Sequence, residues 1–178
     1  NARICTGDGL SLAYNAGLPL EDMEFVQFHP SGMYGKGFLV SEASRGEGAY
    51  LLNAKNQRFM KKYAPQSMEL ASRDVIARAI MTEIREGRGC GSKKDHVFLD
   101  VRHLGELKIM ERIPEIRKTV HEQLGIDCVK ELIPVVPTAH YSMGGIPTDV
   151  QTRVVMDAHN TPLPGLYAAG EVSCVSVH

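Results

Sequence analysis

The chain has 178 residues, 43% of them hydrophobic, enough for one good-sized domain or two small ones. Its 20 Lys and Arg against 21 Asp and Glu leave a formal net charge of −1, so no global field recruits nucleic acid or an acidic membrane surface. No apolar run approaches the ~20 residues that would span a bilayer, and direct membrane insertion is not expected.

The first residue is Asn1, with no signal-peptide pattern after it, which fits a mature secreted domain or an excised fragment. Cys5, Cys90, Cys128 and Cys174 are scattered and form no C-x-x-C pair. Zinc and iron–sulfur ligation are therefore not expected, and no metal site is assigned. The cysteines read as reduced thiols of a cytoplasmic protein.

Thr6-Gly-Asp8-Gly9 is a glycine-rich turn before a short helix predicted over Leu10 to Ala16, with Gly17 as its stop. Met23 to Phe28 reads as a strand ended by Pro30, and Phe38 to Val40 as a second strand after a glycine loop. Between and beyond them lie His29, then Ser41-Glu42-Ala43-Ser44-Arg45-Gly46-Glu47-Gly48, which set ionisable groups among close-packing glycines. Ala49 to Leu52 and Arg58 to Met60 flank an Asn-Ala-Lys-Asn turn and suggest a hairpin.

The clearest local signal is a helix from Ser72 to the stop at Gly87 and Gly89. At ~100° per residue, Arg73, Ile76, Ile80 and Ile84 share a narrow stripe, so an arginine caps the buried face. Val97 to Val101 reads as a strand, and Leu104 to Leu124 as two helices divided by Pro114 and ended by Gly125. Ile133 to Val136 is a short strand bounded by prolines. His140 sits on a strand running into Gly144-Gly145. Val154 to Asp157 with the Asn160 turn suits a small antiparallel element, and a strand from Pro164 meets the turn Gly170-Glu171. His96, His103, His121 and His159 have no motif around them and read as surface or packing residues.

Seven motifs occur in one order: Thr6-Gly-Asp-Gly9, Gln27-Phe-His-Pro30, Arg45-Gly-Glu-Gly48, Leu70-Ala-Ser-Arg-Asp74, Arg85-Glu-Gly-Arg-Gly89, His140-Tyr-Ser-Met-Gly-Gly145 and Gly165-Leu-Tyr-Ala-Ala-Gly-Glu171. That order resembles the flavoprotein subunit of succinate dehydrogenase and fumarate reductase over essentially the whole chain. The resemblance implies an α+β fold: a capping domain, about 27–140, between pieces of an α/β FAD-binding domain at 1–26 and 141–178. It implies succinate–fumarate interconversion, with Arg73 as proton donor or acceptor and Glu42 and Arg45 as its relay. His29, Ser41 and His140 would bind the dicarboxylate, and Asp8 and Glu171 would contact FAD.

The same resemblance implies an iron–sulfur subunit and membrane-anchor subunits as partners. The location it implies is cytoplasmic, peripheral to the inner membrane. The dinucleotide fingerprint G-x-G-x-x-G is missing, so the FAD site is expected to be incomplete. The isolated chain is expected to hold no flavin tightly and to show no turnover. Two rivals stand beside this: L-aspartate oxidase, toward which Val97-Phe-Leu-Asp100 and the short loop after Pro30 lean, and a non-catalytic interaction domain with the cap fold.

Overall fold

The structure is a computed structural model and describes residues 5–175, a mixture of helix and sheet. It divides into two compact units. The larger is Phe28–Thr138; the smaller joins the stretch ending at Gln27 with the one beginning at Ala139.

The larger unit is built on a four-stranded sheet in the order β1-β4-β3-β2, from β1 (Val26–Met33), β2 (Tyr50–Leu52), β3 (Val97–Asp100) and β4 (Ile133–Ser142). β2 pairs antiparallel with β3, Leu51 opposite Leu99; β3 pairs antiparallel with β4, Leu99 opposite Ile133. Leu51, Val97, Leu99, Ile133 and Val135 from the sheet enter one core with Ile76, Ala79 and Ile80 from a helix, α4 (Arg73–Arg85). The isoleucine stripe expected from periodicity is this buried face: Ile76 and Ile80 are fully buried, and Ile84 packs at the margin. Removing one such side chain to alanine costs about 2–5 kcal/mol. Ile109, Ile113, Ile116 and Val120 close the core from α5 (Glu106–Arg112) and α6 (Pro114–Leu124). Pro114 opens α6, where its missing N–H would have no helical partner anyway. Gly125 closes it at φ 72°.

Four expectations are corrected. β1 runs through Pro30 instead of ending there. It is an edge strand of the sheet, with Ser31 O and Met33 N on its outer side bonded to Val40 N and Phe38 O. β4 likewise contains Pro134 and Pro137 and is ten residues long. The carbonyl of Pro134 accepts from Tyr34 N, just past the end of β1, so its absent amide falls where that partner strand has stopped. The hairpin expected over 49–60 is not formed. Asn53 Oδ1 accepts from the amides of Lys55 and Gln57 and folds the chain into a side-chain-held turn. Leu52 and Arg58 then share only an isolated bridge, and α3 (Met60–Tyr63) follows. Phe38 to Val40 contributes one bridge, Leu39 to Gly32, rather than a strand.

In the smaller unit, α1 (Asp8–Asn15) starts at Gly7, φ 77°, two residues earlier than the expected start. β5 (Ile146–Pro147) pairs parallel with β8 (Ser173–Cys174), and β6 (Arg153–Val155) antiparallel with β7 (Pro162–Tyr167). Gly144 and Gly145 are required by close backbone approach: a Cβ would lie 2.2 Å from Asp22 O and 2.4 Å from Val172 O. All four cysteines are free thiols. No helix among the described residues is long and apolar enough to cross a membrane.

Candidate active site

Three of the sequence-derived residues meet in the larger unit. Glu42 Oε1 accepts from Arg73 Nε at 2.7 Å and from Arg45 Nη2 at 3.1 Å, so one carboxylate oxygen bridges two guanidinium groups. Local folding explains the meeting. Residues 43–46 form a single helical turn, α2 (Ala43–Gly46), missed in the sequence because its glycine reads as loop; the turn puts Arg45 three residues after Glu42 on one side. Arg73 is the first residue of α4, so its side chain leaves the helix where the backbone amides are unpaired. Ser72 occupies the cap position, but its hydroxyl donates to Asp74 Oδ1 at 2.5 Å and makes no cap hydrogen bond to the backbone.

The three groups differ in environment. Glu42 has 46% of its side chain exposed and Arg73 32%, whereas Arg45 has 4%. The hydrogen bond from Arg73 holds the Glu42 carboxyl below its ordinary value, and the charges of Arg73, Arg45 and His29 act the same way. Burial pulls the Arg45 guanidinium below its usual range; Glu42 opposes the pull and Arg73 adds to it. Of the two guanidinium groups, Arg45 is the buried one and Arg73 the partly exposed one.

The Arg45-Gly-Glu-Gly48 loop is tied down on several sides. Arg45 Nη1 donates to Glu69 O at 2.9 Å, Glu47 binds Lys108 and Arg112 of α5, and the Gly48 carbonyl lies 2.9 Å from His103 Nε2. His103, read from sequence as a surface or packing residue, is exposed and stacked flat on Tyr50. Glu69 and Glu83, both almost fully buried, escaped the sequence reading because acids by type look like surface residues.

His29 is buried on β1. Ser31 N donates to its Nδ1 at 3.2 Å; an amide can only donate, so the proton of the neutral ring belongs on Nε2. Ser41 stands one residue before Glu42, its Oγ accepting from Ala43 N at 3.3 Å. Together these residues give the larger unit an imidazole, a hydroxyl and an arginine–carboxylate–arginine chain, a set able to bind an anion and move a proton.

His140, Asp8 and Glu171 belong to the smaller unit. His140 is half-buried on β4. Asp8 lies in the first turn of α1, accepting from the Thr6 hydroxyl at 2.8 Å. Exposed Glu171 uses Oε1 to accept from Ser142 N at 2.9 Å, which leaves its second oxygen able to accept more. Both are exposed carboxylates able to accept hydrogen bonds from hydroxyl groups. Among the described residues no group of three or more His, Cys, Asp or Glu is arranged to hold a metal ion.

A family model described as the FAD binding domain matches residues 1–178. The succinate dehydrogenase flavoprotein subunit of Rickettsia felis is 54% identical over 100% of this chain and 30% of its own length. The 8-methylmenaquinol:fumarate reductase flavoprotein subunit of Wolinella succinogenes is 50% identical over 98% of this chain and 28% of its own length. Among solved structures, a variant of E. coli quinol fumarate reductase FrdA superposes with a TM-score of 0.90 at 43% identity, covering 100% of this chain and 31% of that one. The chain thus spans about 30% of the length of the curated relatives it matches. It belongs to the FAD-binding family that contains these flavoprotein subunits.

Proposed function

We propose that this member of the FAD-binding family is the proton-handling and substrate-capping segment of a flavoprotein that interconverts succinate and fumarate. The observation that carries the reading is the Glu42 oxygen shared by Arg73 and Arg45. Phe28–Thr138 would be the capping domain, and the smaller unit a part of the FAD-binding domain. Electrons would pass to or from an iron–sulfur subunit and a quinone, with membrane-anchor subunits holding the assembly at the inner membrane on its cytoplasmic side. That a quinone and further subunits take part is supported by relatives named as flavoprotein subunits, one of them of an 8-methylmenaquinol:fumarate reductase; the iron–sulfur and anchor partners rest on the family resemblance.

Oxidising succinate removes a hydride from one carbon and a proton from its neighbour; FAD, when bound, supplies the two-electron chemistry. Asp8 and Glu171 are the residues of this chain suited to hold it through hydroxyl groups. His29 and Ser41 of the larger unit, and separately His140 of the smaller, would each serve as a donor to a substrate carboxylate. Arg73 would exchange the proton with the substrate carbon. An arginine is a poor acid in water, with a reference pKa above about 12, so it needs an attached acceptor. Glu42 is that acceptor, 2.7 Å from Arg73 Nε. Arg45, whose charge burial already disfavours, continues the path from the same oxygen.

The test is Arg73→Lys in the full-length flavoprotein, assayed for succinate oxidation with an artificial electron acceptor. Lysine keeps the charge and loses the planar fork that reaches Glu42. Turnover should fall by about 100-fold or more with flavin content unchanged. Turnover within a few-fold of wild type would remove Arg73 from the proton path.

A further inference from the structure

The guanidinium of Arg45 makes two hydrogen bonds among the described residues, one to the Glu42 carboxylate and one to the main-chain carbonyl of Glu69; its buried Nε has none. Among the described residues, the Glu69 carbonyl is therefore the one hydrogen-bond partner that holds the Arg45 guanidinium independently of Glu42.

Backbone bonds from Met68 N to Ala64 O, Leu70 N to Ser67 O and Ala71 N to Met68 O close the turn that carries this carbonyl, and the Glu69 side chain anchors the turn to the sheet. The residue is 2% exposed, in a 3₁₀ turn over Met68–Leu70, and Met68 before it sits at φ 51°, where a bulky residue is strained. The carboxylate turns inward and is fully engaged. Oε1 accepts from Leu51 N of β2 at 3.1 Å and from Arg58 Nε at 2.9 Å; Oε2 accepts from Arg58 Nε at 3.0 Å and Nη2 at 2.6 Å. Arg58 is itself held with its guanidinium carbon 4.1 Å over the Tyr50 ring, and His103 is stacked on Tyr50 with ring centroids 4.0 Å apart. The carboxylate thus bolts the turn to β2, and the turn presents its carbonyl to Arg45.

We propose that Glu69 is a positioning residue for proton transfer: by clamping its own main chain to β2 and Arg58, it aims the Arg45 guanidinium at Glu42. This rests on the relay reading above. A merely structural Glu69 would stabilise β2 and leave turnover of the folded protein alone. A positioning Glu69 acts through Arg45, so its effect must vanish when Arg45 is already impaired.

The experiment is a double-mutant cycle in the full-length, flavin-loaded protein with Glu69→Gln, Arg45→Lys and both, measuring kcat per bound flavin, KM for succinate and Tm. Expected is a fall in kcat of about tenfold for Glu69→Gln with KM within about twofold. In the Arg45→Lys background the further loss should stay under about twofold. An equal loss in both backgrounds, or a lowered Tm with kcat per flavin unchanged, overturns the proposal. If Glu69→Gln yields no folded protein, Arg58→Lys decides: it breaks the two-pronged grip while keeping the charge. A fall in kcat of about threefold that disappears in the Arg45→Lys background supports the clamp, and an unchanged kcat overturns it. Should Arg45→Lys and Arg73→Lys each keep wild-type turnover, the relay itself has failed, and the clamp falls with it.

Discussion

Two of the carboxylates gripped by arginine in the larger unit are built for opposite ends. Glu83, on the core side of α4, is 1% exposed; it accepts from Arg88, from Asn53 and from the Tyr63 hydroxyl, and Arg88 reaches on to Glu86. Burial alone would push its carboxyl up, but those hydrogen bonds outweigh it and bring the value down to about 2. Glu42 is half-exposed, uses a single oxygen for two arginines, and leaves one of them with an unpartnered nitrogen. A closed cluster stores stability and has no lone pair to spare. An open one contributes little to stability and can change protonation without unfolding its surroundings.

The sharpest way to break this contrast is Glu42→Gln. In the full-length flavoprotein, kcat should fall by roughly 100-fold while Tm falls less than in Glu83→Gln, because the Glu42 carboxylate is 46% exposed although its partner Arg45 is buried. Calorimetry beside steady-state kinetics reads both. Glu83→Gln should behave the other way. It strands Arg88 beside a neutral amide and should cost roughly 3 kcal/mol, seen as a lower urea midpoint, with turnover per flavin within about twofold of wild type.

Acid titration sharpens the contrast without mutation. Glu83 has its carboxyl lowered from 4.5 to about 2, so the stability it contributes is fully present above pH 4.5 and is lost as pH falls toward 2. Integrated over that window the loss is roughly 3 kcal/mol. Glu83→Gln should flatten that part of the stability–pH curve, and denaturant melts between pH 2 and 5 would show it. The smallest effect belongs to a third pair, Asp74 with Arg78, exposed on α4 at 2.6 Å. Arg78→Ala should shift stability by about 0.5 kcal/mol or less, screened further by salt.

Legibility from sequence followed the same divide. The stripe of α4 is periodic, so its buried isoleucines and the entry of Arg73 at the helix start could be read directly. Glu42, Arg45 and Arg73 were named from motifs, and the fold brings their heads within hydrogen-bonding distance. Prolines misled at Pro30 and Pro134, inside strands that run on past them; at Pro134 composition records a missing amide but not that the partner strand has ended opposite it. The hairpin over 49–60 failed for a related reason: Asn53 spends its side chain on two local amides, a competition that alternation of apolar residues does not reveal. Glu69 and Glu83 were invisible because residue type predicts exposure, and only the partners in space explain their burial.

The thiols make the two units separately addressable. Cys90 and Cys128 are buried in the larger unit, where desolvation raises their pKa and slows alkylation, and Cys174 is buried in the smaller. A brief pulse of alkylating reagent during denaturation, followed by peptide mass spectrometry, therefore carries its own internal coordinates: modification at 174 reports one unit opening, and modification at 90 and 128 the other. Exposed Cys5 reacts throughout and calibrates the dose.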